Sequence, residues 1–152
     1  MKLQLLIIVR HGNYDRDSGS LTDSGRNQIK GLAEKLKPFI AGMDIVILSS
    51  RAKRTQESAE ILAEAFGVDS FECHGALYSD SNIMKLPEAL ELVRSKKEEC
   101  DVMVLVTHFE FTEEFPEYFG REELKKNIRS NSLEKGEAWV VGASQNITWT
   151  TA

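Results

Sequence analysis

The chain has 152 residues and a hydrophobic share of 41%, which is enough for one globular domain with a buried core. Its formal net charge of −5 argues against broad binding to nucleic acid or to anionic membranes, because both need a basic surface. The two cysteines, Cys73 and Cys100, fit neither a metal site nor a disulfide framework. Since the sequence shows no signal-peptide or membrane-spanning pattern, we expect a single domain over residues 1–152 in the cytoplasm.

The first element is an aliphatic run from Leu5 to Val9, followed at once by Arg10, His11 and Gly12. The run is too short to cross a membrane and has no polar alternation, so it predicts a central strand that is covered on both faces. In open α/β sheets, ligands bind beyond the carboxyl ends of the strands. This strand therefore presents a guanidinium and an imidazole where a ligand is expected.

Helical and strand patterns alternate through the rest of the chain. Apolar residues at helical spacing predict helices that begin at the N-cap Thr22, after Ser50 and near the potential caps Ser79, Asp80 and Ser81. Short apolar runs predict further strands at residues 45–48, 68–73, 102–106, 138–141 and 147–149, the last two as a hairpin whose turn lies in residues 142–146. This order predicts a doubly wound α/β domain, with a mostly parallel sheet flanked by helices and an antiparallel C-terminal strand or hairpin.

For three segments the sequence gives more specific predictions of secondary structure. Ile83 is expected on the apolar face of the third helix, where Pro87 either starts the main helix or kinks it. The Phe- and Glu-rich stretch from 109 to 119 is expected to be broken by Pro116 and Gly120. The basic residues between Arg121 and Arg129 are expected to form a solvated helix face.

Reactive or cationic residues follow three of the predicted strands. The first strand ends in Arg10 and His11, and the strand at 102–106 is followed by His108. The strand at 45–48 leads into two serines and three cations, which are Ser49, Ser50, Arg51, Lys53 and Arg54. If these strands are parallel, all three sets lie at one edge of one sheet.

The cations at residues 51–54 lie where the second helix begins. Each cation there costs about 0.3–1 kcal/mol, because the helix macrodipole is already positive at that end. A bound anion reverses this effect, since free amides at a helix N-terminus bind anions. We therefore expect at least one of the three to serve an anion, although the spacing does not say which; the alternative is that the side chains bend towards solvent at small cost.

The residue types at the predicted edge fit phosphate better than a metal ion. His11 and His108 are possible metal ligands, but the neighbouring cations repel a divalent ion. Arginine recognises phosphate through paired N–H donors, and histidine can act as a nucleophile near neutral pH. His74, which precedes Gly75, is expected to have an ordinary surface or half-buried role.

Four motifs in order resemble the histidine phosphatase superfamily, also called phosphoglycerate mutase-like. Arg10-His11-Gly12 matches the RHG motif, and LTDSGRNQIKGLAEKL is similar to the L-T-x-x-G-x-x-Q helix of that family. SSRAKRTQESAEIL resembles the S-P-L-x-R-A-x-Q-T-A segment, and LVTHFEF resembles the strand before the second histidine. In addition, SLEKGEAWVV is similar to the K-G-x-x-W-x-L strand of the short, bacterial phosphohistidine-phosphatase type.

The resemblance implies covalent catalysis without a metal or other cofactor. His11 would attack phosphorus to form a phosphohistidine intermediate, which water then hydrolyses. Arg10, Arg54 and His108 would hold the phosphoryl oxygens, with Asn13 as a further phosphate-binding candidate. The implied partner is a phosphorylated protein or a small phosphorylated metabolite, and neither nucleic acid nor a membrane is expected.

The sequence departs from the family pattern at several positions. Arg51 replaces the usual proline, Thr55 the usual alanine and Glu57 the usual glutamine, and Phe109-Glu110 follows the second histidine. Many members also use a carboxylic acid to protonate the leaving group. Asp80 and Glu110 are the candidates for that role, although both also fit helix caps or surface acids; the short phosphohistidine-phosphatase type lacks this acid.

These observations lead to three hypotheses. The first is a phosphatase that acts on protein phosphohistidine or on a small phosphomonoester; mutase activity is disfavoured because the long insertions of the mutase branch are missing. The second is a non-catalytic phosphate- or phosphoprotein-binding module on the same fold. The third is an α/β domain with no role in phosphate binding.

Overall fold

The computed structural model describes residues 2–143 and 148–151. Its strands are β1 (Leu5–Arg10), β2 (Ile45–Ser49), β3 (Glu72–Cys73), β4 (Val102–Thr107), β5 (Ala138–Gly142) and β6 (Thr148–Thr151). Its α-helices are α1 (Asp23–Ile40), α2 (Lys53–Phe66), α3 (Leu86–Lys96) and α4 (Phe109–Phe119). A short 3₁₀ turn covers Gly75–Leu77, and a π-helical turn covers Gly120–Leu124.

The six strands form one sheet in the order β3-β2-β4-β1-β5-β6. The first four strands in this order run parallel to one another, and β1 pairs with β4 from Leu5 opposite Val102 to Arg10 opposite Thr107. Strand β5 lies antiparallel to β1, and β6 lies antiparallel to β5. The α/β class with an antiparallel C-terminal end, predicted from the alternating patterns, is confirmed.

Helices cover both faces of the sheet. Leu6 and Ile8 of β1 belong to a core cluster that includes three phenylalanines of α4. Ile7 and Val9 belong to a second cluster with apolar residues of α1 and α2. All four of these β1 side chains are fully buried. The strand is aliphatic without polar alternation because each of its faces packs against a hydrophobic core, as predicted from the sequence.

The loop after β1 is held by close packing against the start of α1. The Thr22 hydroxyl caps this helix by accepting the Gly25 N–H at 3.0 Å, and the Gln28 side chain accepts the Asn13 N–H at 2.8 Å. A Cβ atom on Gly25 would lie 2.0 Å from the Asn13 carbonyl oxygen. The L-T-x-x-G-x-x-Q pattern thus fixes the chain immediately beyond His11.

The segment before α3 differs from the prediction. Ile83 is 43% exposed and lies outside the helix, so its predicted place on the apolar face is wrong. The Asp80 carboxylate accepts the N–H groups of Asn82 and Ile83, which closes a turn instead of capping a helix. Helix α3 begins at Leu86 with Pro87 in its first turn, a position where the missing N–H carries no cost.

The predicted break at Pro116 is also wrong. Pro116 lies buried inside α4, and its neighbours Phe115 and Phe119 are fully buried in the core. The chain continues into the π-helical turn and leaves helical geometry at Lys125, which has a φ of 56°. The predicted helix face over residues 121–129 is therefore wrong beyond Leu124.

The C-terminal strands form an antiparallel pair, as the hairpin pattern predicted. The predicted turn falls mostly on residues 144–147, which lie outside the described residues, and Gly142 belongs to β5. Within the part of the chain that the structure describes, no helix combines the length and apolarity needed to span a membrane.

Two glycines of α1 provide a matched test of the packing against the loop. In Gly25→Ala the new methyl meets the Asn13 backbone, so we expect a loss of roughly 1–3 kcal/mol or more in the free energy of unfolding. A Cβ on Gly31 meets nothing within 4 Å, so Gly31→Ala should raise the stability by about 0.5–1 kcal/mol. Urea denaturation of both variants measures the difference; equal effects would contradict this packing.

Candidate active site

A cavity of about 700 Å³ opens at the carboxyl ends of β1 and β4. It is lined by cationic, imidazole, aromatic and carboxylate side chains together with small polar residues: Arg10, His11, Tyr14, Arg16, Gly19, Arg54, Ser79, Asp80, Ser81, His108, Phe109, Glu110 and Lys135. Parallel pairing of these two strands brings residues almost a hundred positions apart to the same edge. This is the edge at which open α/β sheets bind ligands.

His11 is a neutral imidazole with a defined tautomer. Its Nδ1 lies 2.8 Å from the Gly12 carbonyl oxygen, which can only accept, so Nδ1 carries the proton and Nε2 carries the lone pair. The ring is only 5% exposed, and this burial, reinforced by the charges of Arg54 and Arg10, lowers the pKa of His11 to about 4. At neutral pH His11 is thus available as a nucleophile or base.

His108 is the second imidazole, with its ring centroid 5.5 Å from that of His11. An Arg54 Nη2 lies 3.3 Å from its Nδ1, and a guanidinium can only donate, so the ring proton is on Nε2. Nε2 in turn donates to the Ser50 hydroxyl at 2.8 Å, and that hydroxyl lies 2.6 Å from the Thr55 hydroxyl. Burial, with the charge of Arg54 as a further cause, lowers the pKa of His108 to about 3.

The two arginines of the cavity are held by neutral groups. Arg10 donates to the Leu133 carbonyl at 2.7 Å, and its Cζ lies 4.6 Å from the centroid of the Phe109 ring. Arg54 lies 4.6 Å from the Tyr14 ring centroid. The Nε atoms of both arginines are buried without a hydrogen-bond partner among the described residues, and neither side chain pairs with a described carboxylate. Two positive charges thus face the cavity without an ion-pair partner among the described residues.

The structure decides which of the three cations near the start of α2 serves the cavity. Arg54 lines it, whereas Arg51 precedes the helix and lies beside Gly75, and Lys53 lies beside Gly19. Helix α2 begins without a side-chain cap. The spacing left this choice open because all three residues fall within one turn, where only the packing of the helix determines which side chain points inward.

Several departures from the family pattern have local explanations. Glu57 accepts the Leu21 N–H at 2.7 Å and the Ser20 hydroxyl at 3.2 Å, so it ties the loop before α1 to α2. Thr55 belongs to the hydrogen-bond chain behind His108. Phe109 supplies the ring that packs against Arg10. These substitutions therefore support the geometry of the cavity.

The two candidate general acids both line the cavity but differ in their surroundings. Asp80 accepts the backbone N–H groups of Asn82 and Ile83, and these bonds lower its pKa. It is therefore ionised at neutral pH, which does not suit a proton donor. The Glu110 carboxylate accepts the Ser79 hydroxyl at 3.3 Å.

Two polar residues considered in the sequence analysis, Asn13 and His74, do not line the cavity. Asn13 is not among the lining residues; its side chain contacts the Thr22 hydroxyl and the Lys135 ammonium. His74 pairs with Glu72 at 3.0 Å, outside the cavity. Conversely, the sequence reasoning missed Tyr14, although its position two residues after the RHG motif placed it within reach.

A family model matches the first half of the chain. The model of the histidine phosphatase superfamily (branch 1) matches residues 6–77, a segment that contains Arg10, His11 and Arg54. No curated protein matches the chain in sequence. Over these residues, the match confirms the resemblance seen in the motifs.

Solved structures share the fold at low sequence identity. The putative phosphohistidine phosphatase SixA from Agrobacterium tumefaciens has a TM-score of 0.67 at 18% identity, covering 92% of this chain and 92% of that chain. The protein histidine phosphatase SixA complexed with tungstate has a TM-score of 0.65 at 16% identity, covering 97% and 94%. A mycobacterial glucosyl-3-phosphoglycerate phosphatase has a TM-score of 0.64 at 16% identity, covering 97% of each chain.

The protonation states can be tested by NMR. Because the pKa values of His11 and His108 are about 4 and about 3, their imidazole signals should stay constant between pH 8 and pH 5.5. In concentrated urea all histidines should titrate near 6.5. Movement of either cavity histidine near pH 6.5 in the folded protein would contradict the neutral assignment.

The same shifts predict the pH dependence of stability. Between pH 6.5 and about 4 the unfolded chain binds more protons at these histidines than the folded chain does. The free energy of unfolding should therefore fall as the pH falls through this window, by on the order of 3 kcal/mol for each histidine. Urea denaturation at pH 7, 6 and 5 measures this loss, and His11→Asn should reduce the dependence.

Proposed function

We propose that this protein is a metal-independent phosphatase that works through a phosphohistidine intermediate on His11. The superfamily match supports a phosphatase in general. The observation that carries the finer proposal is the pairing of two buried, neutral imidazoles, 5.5 Å apart, with two guanidiniums that have no described carboxylate partner. Such a site attracts a phosphoryl group and offers it a nucleophile.

In the first step the Nε2 lone pair of His11 attacks phosphorus. A P–N bond to His11 forms while the bond to the leaving group breaks, and the leaving group departs with the electron pair. The imidazole becomes positively charged, and the Gly12 carbonyl that accepts from Nδ1 stabilises this charge. Arg10 and Arg54 stabilise the negative charge on the phosphoryl oxygens, which is the main requirement of phosphoryl transfer.

In the second step a water molecule attacks the phosphohistidine. The P–N bond breaks, inorganic phosphate leaves, and His11 returns to its neutral state with the proton on Nδ1. An anion bound beside Arg54 raises the pKa of His108, because it offsets the nearby positive charge. A proton taken up on Nδ1 then makes His108 a further donor to a phosphoryl oxygen.

The substrate class follows from the surroundings of the leaving group. Asp80 is ionised, so the site favours leaving groups that need little help from a strong acid. Imidazole leaves more readily than an alkoxide, which favours protein phosphohistidine, and a small phosphomonoester is the other substrate class. The names of the structural neighbours cover both a protein histidine phosphatase and a phosphatase of a phosphorylated metabolite.

The ionised state of Asp80 also favours a second candidate function. A domain that binds phosphate without turning it over needs the two arginines and His108, but it needs no proton donor. The non-catalytic phosphate- or phosphoprotein-binding module therefore remains the alternative, and turnover decides between the two.

Hydrolysis of 4-nitrophenyl phosphate tests the enzyme directly, because aryl leaving groups need little protonation. We expect metal-free turnover in EDTA, and a loss of roughly 10²- to 10³-fold in kcat/KM for Arg54→Ala, since one donor to the phosphoryl oxygens is removed. Arg51→Ala, which changes a cation outside the cavity, is the matched control and should retain activity. Thermal stabilisation by phosphate without any turnover would instead support the binding module.

The covalent intermediate can be trapped by rapid quenching with a ³²P-labelled substrate. The label on the protein should be stable in base and labile in acid, as expected for a phosphorylated imidazole. His11→Ala should lose both the label and the activity, whereas His74→Ala, which removes a histidine outside the cavity, should keep both. A label that persists in His11→Ala would exclude His11 as the nucleophile.

A further inference from the structure

Lys135 is a cation of the cavity that the proposed chemistry does not use. Its Nζ lies 3.2 Å from the Asn13 side-chain oxygen and 5.7 Å from the centroid of the Tyr14 ring, both neutral groups. Among the described residues no carboxylate pairs with it, although Glu134 and Glu137 are its neighbours in sequence. Like the two arginines, Lys135 has no ion-pair partner among the described residues.

The backbone next to Lys135 is hydrogen-bonded to the segment that contains His11. The Gly136 N–H lies 3.1 Å from both the Arg10 and the His11 carbonyl oxygens. Gly136 has a φ of +77°, and a Cβ there would lie 2.7 Å from the Cβ of Gln28. The backbone that follows Lys135 is thus held against the Arg10-His11 segment, and the Lys135 charge contributes to the lowered pKa of His11.

Arg54 and Lys135 both contact the Tyr14 ring, but their other contacts differ. Arg54 also reaches His108, whereas Lys135 reaches Asn13 in the loop after β1. Arg16 in the same loop also lines the cavity and makes no hydrogen bond or ion pair with the described residues. Lys135 and Arg16 therefore lie on the loop side of the cavity.

The two carboxylates of the cavity lining already have donors of their own. Asp80 accepts the N–H groups of residues 82 and 83, and Glu110 accepts the Ser79 hydroxyl. The lining thus has four cations, Arg10, Arg16, Arg54 and Lys135, and two carboxylates, neither of which forms an ion pair with a described residue. One phosphoryl group held by the arginines leaves the other two cations without an anion.

We propose that Lys135, with Arg16 at the rim, forms a second anion subsite that binds a carboxylate or phosphate carried by the substrate close to its phosphoryl group. The subsite deepens the proposed function and rests on it: within the phosphomonoester class of that proposal, the preferred substrates bear a second anionic group on the leaving portion. Paired cations and anions of this kind form charge-assisted hydrogen bonds, which discriminate strongly against a substrate that lacks the second anion.

Binding of non-hydrolysable phosphonates tests the subsite without requiring turnover. Isothermal titration compares phenylphosphonate with 3-carboxyphenylphosphonate, in the wild-type protein and in Lys135→Met. We expect the wild type to bind the carboxylated compound about ten-fold more tightly, equivalent to ~1.4 kcal/mol, and Lys135→Met to lose this preference while its affinity for phenylphosphonate changes little. Lys30→Met, an exposed lysine of α1 outside the cavity, is the charge-matched control.

Each remaining outcome overturns the proposal. Equal losses for both phosphonates in Lys135→Met would assign Lys135 to the phosphoryl group itself. Unchanged affinities for both would make Lys135 a solvated cation, and an equal loss of preference in Lys30→Met would indicate only a general charge effect. Failure of the proposed function is seen separately, as the absence of aryl phosphate hydrolysis in a protein that still prefers the carboxylated phosphonate.

Discussion

Two guanidiniums without carboxylate partners are the feature on which the site depends. Arg10 and Arg54 are held by a carbonyl, an imidazole nitrogen and two aromatic rings, none of which neutralises them. Partly buried charges of one sign repel one another, and burial removes much of their hydration. An arrangement of this kind favours any anion that reaches both groups, so an acidic chain can still hold a positive cavity. The same charges help to keep both imidazoles neutral, which leaves His11 with a free lone pair.

The backbone around His11 is as constrained as its side chain. Gly12 and Gly25 pack against each other, with a Cβ on Gly12 placed 2.6 Å from the Gly25 carbonyl oxygen. On the other side, the Gly136 N–H bonds to the carbonyls of Arg10 and His11. The strand end thus lies between α1 and the segment before β5. Stability and the geometry of the cavity share these contacts, because the residues that close the core also set the direction of the His11 imidazole.

The substitutions that set this chain apart from its family pattern serve the surroundings of the cavity more than its centre. Glu57 accepts a backbone N–H of the loop before α1. Thr55 extends the hydrogen-bond chain behind His108, and Phe109 packs against Arg10. Tyr14 contacts His11, Arg54 and Lys135 with one ring. Differences of this kind change the shape and charge of the cavity around His11 and the two arginines.

The sequence by itself determined the α/β class, the central place of β1 and the strand ends that carry Arg10, His11 and His108, because periodicity and apolar runs are local signals. Only the tertiary structure selected Arg54 among the three cations near the start of α2, brought Lys135 and Tyr14 to the cavity, and fixed the two imidazole tautomers. The structure also shows a continuous helix at Pro116, where the sequence predicted a break, since the buried phenylalanines around it keep α4 helical. These features depend on which side chains meet across segments distant in sequence, and that depends on packing, which no local pattern records.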